Sequence, residues 1–532
     1  MKVLIPMAGR GKRFVEAGYT IPKPLITVDG KPMIEHIVNN FSPDDQFIFG
    51  VNEAHVRDSS LASALQRIAL RGEVISMPYQ PGGVIDTLAC MLHRVSDDEP
   101  VFVNYCDFSW VWNYQNFLEA MKTNRCDGAV VCYRGFHPHL LGPNSYATLR
   151  ESGHWMEEIR EKHSWHANKM DNWTSSGSYF FARGAHLKTA IQKISARPNW
   201  RINGEYYVSQ LFQILSEQKR QIYVYEIPFM LQWGTPEDLI DYEYWSAYFR
   251  VRAEGKLQRP RRNPAPGLTA VILMAGGGRR FQEAGYPKAK PFIAVNDSTL
   301  VRESALELPC AARYLFVSRD DFQTDYAAEE AELLSNFPNA RFVRTPNVTE
   351  GQAVSALLGV GEVKLEESLL IGACDHSLLY SDPLFQRLTS NESEIDCLVF
   401  SFQGNPAVRC KPESYGWLSL DEKNLVASAS VKAPLPGNPL EHHAIVGAFW
   451  FRKARYFVDN ARRMIAENDR INNEFYIDQC INYLIRSGLK VAPFPVSAYS
   501  SFGTPEELQT YQYFQRFFAQ ADFHPYQGEE ER

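Results

Sequence analysis

Residues 5–28 read IPMAGRGKRFVEAGYTIPKPLITV, and residues 272–295 read ILMAGGGRRFQEAGYPKAKPFIAV. Fifteen of the 24 positions are identical without a gap, at an offset of 267. The offset persists along both halves. Cys106-Asp107 matches Cys374-Asp375 at 268, and Ser145-Tyr146 matches Ser414-Tyr415 at 269. Arg201-Ile202-Asn203 with Glu205 and Tyr207 matches Arg470-Ile471-Asn472 with Glu474 and Tyr476. Gly234-Thr235-Pro236-Glu237 matches Gly503-Thr504-Pro505-Glu506. A drift of two residues over a whole domain means one fold written twice, with a period far too long for a solenoid.

The repeat predicts a first copy over residues 1–252, a linker over 253–267 and a second copy over 268–532. The linker reading rests on the prolines, glycines and basic residues from Ala253 to Gly267. Each copy alternates strands and helices. Val3–Pro6 and Ala270–Met274 are short apolar runs that end in glycine-rich turns, as buried strands do. Glu99–Asn104 and Ser368–Gly372 are further apolar strands, each stopping just before an aspartate. Met33–Phe41 has helical spacing. Pro236–Arg250 is a helix with Thr235 as N-cap, proline at the first position and acids in its first turn. The predicted fold class is α/β: two tandem Rossmann-like domains, each a mostly parallel sheet with helices on both faces. Ligands of such sheets bind at the carboxyl ends of the strands.

Composition narrows the function. The chain has 532 residues, 45% apolar and 22% charged, which is the balance of a globular protein with ample core. A net charge of −7 gives no basic footprint for nucleic acid. The nine cysteines are scattered and show no Cys-x-x-Cys spacing, which points away from a zinc or disulfide framework and toward a reducing, cytoplasmic setting. No apolar run approaches a membrane span, and Met1–Met7 is too short for a signal peptide. Self-association into a homo-oligomer stays open.

The turn Gly9-Arg10-Gly11-Lys12-Arg13 follows the first strand. Glycines let backbone N–H groups approach a polyanion, and Lys12 and Arg13 add fixed positive charge. It is neither a P-loop nor a dinucleotide fingerprint, because Phe14 stands where a third glycine belongs. Pro22-Lys23-Pro24 places another cation on a stiff segment able to face the turn. The second copy keeps Gly276, Gly278, Arg279, Arg280 and Lys290. Asp107 and Asp375, at the ligand edge of their sheets, are suited to Mg²⁺ held together with phosphate oxygens. His137 and His139 invite a metal reading, but no cysteine or carboxylate nearby completes a ligand set.

This succession of Gly-x-Gly-x-Arg-Phe, Pro-Lys-Pro, a strand-end Asp and Gly-Thr-Pro-Glu-Asp resembles the sugar-phosphate nucleotidyltransferase family. Members join a nucleoside triphosphate to a sugar 1-phosphate and release pyrophosphate. Tyr133–His139, Ser175-Ser176-Gly177 and Gln232–Pro236 are similar to a branch associated with capsule and surface polysaccharide. The resemblance implies that Ala8, Gly9, Gly11, Lys12, Arg13 and Gly83 hold the nucleotide, and that Lys23 contacts the phosphates at the reacting centre. It implies that Asp107 binds Mg²⁺ and that Glu161, Lys162, Glu205 and His137 face the acceptor. The second copy's counterparts are Gly276, Gly278, Arg280, Lys290, Gln352, Asp375, Lys432 and Glu474. Many members carry a second metal carboxylate two residues before the Gly-Thr glycine, where this chain has Gln232 and Ser501.

Two rival readings remain at this level. A nucleotide-sugar glycosyltransferase has a similar fold, but Cys106–Ser109 and Cys374–Ser377 lack its Asp-x-Asp motif. The missing second carboxylate admits a copy that binds nucleotide without turnover. Catalysis is expected first of copy 1, because copy 2 has Val431-Lys432 where copy 1 has Glu161-Lys162, so a hydroxyl-binding carboxylate is absent there.

Overall fold

The computed structural model describes residues 1–80, 82–143, 145–253 and 264–526. Residues 254–263 of the expected linker therefore lie outside the described residues. Of the rest, Ala253 closes the helix Pro236–Ala253, and Ala265–Gly267 open the strand Ala265–Leu273.

The chain divides into two compact units. The first is Met1–Ser246 with the segment Tyr513–Tyr526, and the second is built on Ala247–Gln512. The divisions thus fall inside the helices Pro236–Ala253 and Pro505–Gln520. The C-terminal segment is part of the first unit because its aromatic rings find their burial there. The Tyr513 hydroxyl donates to the Met230 carbonyl at 2.7 Å and accepts from its N–H at 3.2 Å. Phe517 and Phe518 pack on Tyr242, and His524 and Tyr526 are buried.

In the first unit the sheet order is Glu73–Met77, Gln46–Asn52, Lys2–Met7, Val101–Asn104, Trp173–Phe181, Gly128–Tyr133, Ile222–Glu226, Trp155–Arg160, Thr148–Ser152. The first four strands are parallel. Trp173–Phe181 then runs antiparallel to both its neighbours. The parallel expectation therefore describes one half of the sheet, and the other half is mixed. Its cause is the hairpin Thr148–Ser152/Trp155–Arg160, which reverses the chain without the crossover that a parallel pair needs.

The second unit repeats the plan with Arg341–Thr345, Ala311–Arg319, Ala265–Leu273, Ser368–Ala373, His443–Phe451, Cys397–Phe402 and Val491–Pro495. The hairpin Gly416–Leu420/Val426–Val431 joins it through His443–Phe451. Both faces of each sheet are covered. Along the first strand Val3, Ile5 and Met7 enter one core while Leu4 and Ala8 enter the other. Ala270, Ile272 and Met274 alternate in the same way with Val271 and Ala275.

A small ribbon beside each main sheet positions the site. Phe108–Val111 pairs antiparallel with Phe229–Gln232, and the Trp233 N–H donates to the Asp107 carbonyl at 3.0 Å. His376–Leu379 pairs likewise with Ala498–Ser501, and the Phe502 N–H donates to the Asp375 carbonyl at 2.7 Å. Each ribbon fixes a Gly-Thr turn against the strand-end aspartate.

Candidate active site

In the first unit the strand Lys2–Met7 delivers the glycine turn to the edge of the sheet. Ala8 is buried, and its carbonyl accepts from the Asn52 amide at 3.2 Å. Gly9 is exposed, and a Cβ there would meet no atom within 4 Å. Gly11 sits at φ 62°, a left-handed conformation that favours glycine, and a Cβ would lie 3.5 Å from Lys23 Cβ. Lys12 and Arg13 are exposed, and Lys12 pairs with Glu16 along its own short helix at 3.6 Å.

Lys23 opens the turn Lys23–Leu25 after Pro22, and its side chain is only 14% exposed. Its Nζ donates to Asp107 Oδ2 at 2.7 Å and to the Gly234 carbonyl at 2.8 Å. Three segments far apart in sequence thus meet at one ammonium: the Pro-Lys-Pro turn, the strand-end aspartate and the Gly-Thr turn. The second unit repeats this: Lys290 pairs with Asp375, and a Cβ on Gly278 would lie 3.1 Å from Lys290 Cβ. Burial pushes the Asp375 carboxyl up, but the adjacent Lys290 ammonium outweighs it and holds the group below its ordinary value.

The structure brings in a second carboxylate that the sequence reading missed. A Cβ on Gly234 would lie 3.6 Å from Asp238 Oδ2 and 3.8 Å from Asp107 Oδ2, with Gln232 Oε1 at 3.3 Å. Asp238 stands in the first turn of the helix Pro236–Ala253, where its Oδ2 accepts from the Thr235 N–H and hydroxyl at 3.0 and 2.9 Å. Burial raises its pKa, and the Lys23 charge opposes that. In the second unit Glu507 takes this place: a Cβ on Gly503 would lie 3.2 Å from Glu507 Oε2 and 3.8 Å from Asp375 Oδ2. Ser501, aligned with Gln232, donates its hydroxyl to Glu507 at 2.9 Å. The signal was present in Gly-Thr-Pro-Glu-Asp, but acids in a first helical turn read equally well as capping.

On the other side of the first cleft, Glu161 accepts from the Ser209 hydroxyl at 2.5 Å, and burial raises its pKa against that hydrogen bond and the Lys162 charge. Lys162 donates to the Tyr207 hydroxyl at 3.2 Å. Glu205 lies beneath Gly83, whose Cβ would sit 3.0 Å from that of Glu205 and whose φ is 85°. Glu161, Lys162 and Glu205 are brought to one wall. His137 is not. It is 1% exposed, its ring lies 4.3 Å from that of Tyr133 and 5.0 Å from that of Tyr513, and burial lowers its pKa to about 4. It is a packing residue with no free face for an acceptor; its neighbour His139 is bound to the Tyr133 hydroxyl at 2.8 Å. In the second unit Gln352 opens the helix Gln352–Val360 and is exposed, as is Glu474 in its tight turn. Lys432 donates to the Ser414 carbonyl.

Among the described residues no three histidine, cysteine or acidic side chains form a ready-made metal cage. Two carboxylates beside an open glycine turn, completed by phosphate oxygens and water, are nevertheless the hard donor set that Mg²⁺ takes.

The family model of the MobA-like NTP transferase domain matches residues 3–169 and again residues 270–471, more than half of the chain. The chain belongs to this family. Its two matches coincide with the two repeats. Among curated proteins, mannose-1-phosphate guanyltransferase beta-A of Xenopus laevis is 24% identical over 247 residues, 45% of this chain and 63% of that protein. The mannose-1-phosphate guanyltransferase of Emericella nidulans is 27% identical over 150 residues, 27% of this chain and 40% of that protein. The chain thus spans less than two thirds of the length of either relative. Among solved structures, a nucleoside-diphosphate-sugar pyrophosphorylase from Vibrio cholerae RC9 is 20% identical with a TM-score of 0.38, covering 45% of this chain and 99% of that one. The inositol-1-phosphate CTP transferase of T. maritima is 15% identical with a TM-score of 0.36, covering 47% and 95%. Among the described residues no helix is long and apolar enough to cross a membrane.

Proposed function

We propose that the first unit transfers a nucleotidyl group from a nucleoside triphosphate to a sugar 1-phosphate. The observation that carries this reading is the convergence of Lys23 on Asp107 and the Gly234 carbonyl beside the open glycine turn. An oxygen of the acceptor phosphate attacks the α-phosphorus in line. The bond from that phosphorus to the bridging oxygen breaks, and pyrophosphate leaves with the electron pair. No protein nucleophile is needed.

The work of the chain is positioning and charge neutralisation. The turn Gly9–Arg13 receives the triphosphate, with Arg13 free to swing onto it. Lys23 exchanges Asp107 for phosphate oxygens at the reacting centre. Asp107, with Asp238 beside it, would hold Mg²⁺. A bound magnesium ion supplies neutralisation of the charge shared by the attacking and leaving groups. Glu161 and Glu205 accept from acceptor hydroxyls, and Lys162 meets the acceptor's negative charge.

The product we infer is an activated precursor for surface polysaccharide, a reading supported by the likeness of Tyr133–His139 and Gln232–Pro236 to that branch. All nine cysteines are free thiols, which supports a cytoplasmic setting. Pyrophosphate release measured over a panel of nucleoside triphosphates and sugar 1-phosphates tests the assignment. Release with at least one pair, lost in Lys23→Ala and Asp107→Ala, is the expected result. Nucleotide binding without release would make the unit a sensor instead.

A further inference from the structure

The two acceptor walls differ by a set of changes that belong together. Lys162 and Lys432 occupy one backbone position: both have positive φ, 52° and 56°, and their N–H groups donate to the carbonyls of Tyr146 and Tyr415 at 3.0 and 3.2 Å. Glu161 therefore corresponds to Val431, which is buried and apolar. The helices Val208–Glu217 and Ile477–Arg486 correspond through their N-caps, Tyr207 and Tyr476, so Ser209 corresponds to Asp478. In the first unit Ser209 is the residue that holds Glu161. In the second unit a carboxylate arises at this same helical position. Space for it comes from a third exchange: Ala147 of the first unit is Gly416 in the second, and a Cβ on Gly416 would lie 2.2 Å from Asp478 Oδ2. The carboxylate has not been lost from the second copy, as the Val431-Lys432 sequence implied. It has moved from the strand side of the wall to the helix side.

Asp478 is 8% exposed, and its carboxylate is met by its own backbone N–H and by the charge of Lys432. Burial raises its pKa to about 6 while the Lys432 charge opposes the rise. Lys432, in turn, is lowered by burial and feels Asp478, Arg280, Glu474 and Asp375. One backbone N–H and one nearby ammonium leave lone pairs of a buried carboxylate open, and a ligand hydroxyl can complete them.

We propose that Asp478 and Lys432 form the acceptor site of the second unit, and that the site takes a phosphorylated polyhydroxy compound. Lys432 meets the phosphate, and Asp478 accepts from a hydroxyl on the helix side. The site rests on the nucleotidyltransferase reading for its use in catalysis, but not for its ability to bind. Because the carboxylate approaches from a different side, the hydroxyl it selects differs from the one Glu161 selects, and the two units take different acceptors.

The test is calorimetric and needs no turnover. Glucose 1-phosphate, mannose 1-phosphate and glycerol 3-phosphate are titrated into the full chain carrying Glu161→Gln, with Mg²⁺ and a non-hydrolysable nucleoside triphosphate present. We expect one-to-one binding of at least one probe, weakened tenfold or more by adding Asp478→Asn. Gly416→Ala, which keeps every charge but displaces the carboxylate, gives a similar loss; near-UV circular dichroism checks that both variants fold. Failure of all three probes to bind, or unchanged affinity in Asp478→Asn, overturns the proposal. Probe binding without pyrophosphate release in any variant would overturn the catalytic reading and leave this site standing.

Discussion

The phosphate sides of the two units share their glycine, lysine and strand-end aspartate, whereas their acceptor walls differ. Gly11, Lys23 and Asp107 have Gly278, Lys290 and Asp375 as partners in the same contacts. On the acceptor side, Glu161, Ser209 and Ala147 have Val431, Asp478 and Gly416 as their counterparts. The two sides answer to different demands. A triphosphate is the same object for both units, and its recognition tolerates little change in backbone or charge. An acceptor is a choice, and a carboxylate can be presented from either of two elements provided the wall is recarved to admit it.

Removing the chain from Tyr513 onward should break the comparison most severely, because it deprives only the first unit of part of its core. Tyr513, Phe517, Phe518 and Tyr526 are all buried there. Aromatic side chains of this size are each worth about 3–5 kcal/mol when truncated in a core, so their joint loss exceeds the roughly 5–15 kcal/mol that hold a domain together. Hydrogen exchange should show protection lost over residues 1–246 and retained over residues 265–505. Equal loss in both regions would show that the segment does not belong to one unit in this way.

Lys23→Ala and Lys290→Ala sharpen the comparison at the chemistry. Each should lower the turnover of its own unit by on the order of 10²–10³-fold, the usual cost of one charge-stabilising group in a transition state. With acceptors distinguished as proposed, each variant silences one activity and spares the other. If a single lysine abolishes all pyrophosphate release, the units are not independent catalysts.

Much of this plan was legible in the sequence, for a physical reason. The glycine turn, the proline-flanked lysine and the strand-end aspartate are fixed by local backbone demands, and their order along the chain survives duplication. Asp478 was not legible, because its meaning lies in Gly416 and Val431, which are distant in sequence and unremarkable alone. Asp238 is visible among the acids of a first helical turn, where a carboxylate is expected for the helix dipole alone, and one side chain can serve both tasks. His137 failed for the opposite reason: a polar residue beside a recognisable motif is buried by Tyr133 and Tyr513, and the latter comes from a segment nearly four hundred residues away.

Asp478→Asn also makes a prediction about stability. With its pKa raised from 3.8 to about 6, the folded state holds the proton more tightly than the unfolded chain does. Stability is therefore lost as pH rises from about 4 through 6, and the charged group facing Asp478 is Lys432. Asparagine removes that loss. The variant should match the natural chain near pH 4 and exceed it at pH 8, by about 3 kcal/mol. Thermal unfolding at the two pH values checks this, and a variant less stable at pH 8 than the natural chain would mean that Lys432 already compensates the carboxylate fully.

The smallest effect is expected at Asp238, and it tests whether the phosphate sides match in their metal chemistry as well as in their lysines. Asp238 and Glu507 reach their aspartates from the same position of the helical turn, but the Glu507 side chain is longer by a methylene, and only Glu507 is held by a serine. Asparagine at 238 still accepts from Thr235, so the helix start survives while the charge goes. Mn²⁺ can stand in for Mg²⁺ and be counted by electron paramagnetic resonance in the presence of nucleoside triphosphate. Asp238→Asn should weaken Mn²⁺ binding at the first unit about tenfold, and Glu507→Gln should do the same at the second. If Asp238→Asn binds the ion as the natural chain does, Asp107 is the sole protein carboxylate at the metal. If only Glu507→Gln weakens binding, the two phosphate sides have diverged in metal chemistry despite their matching lysines.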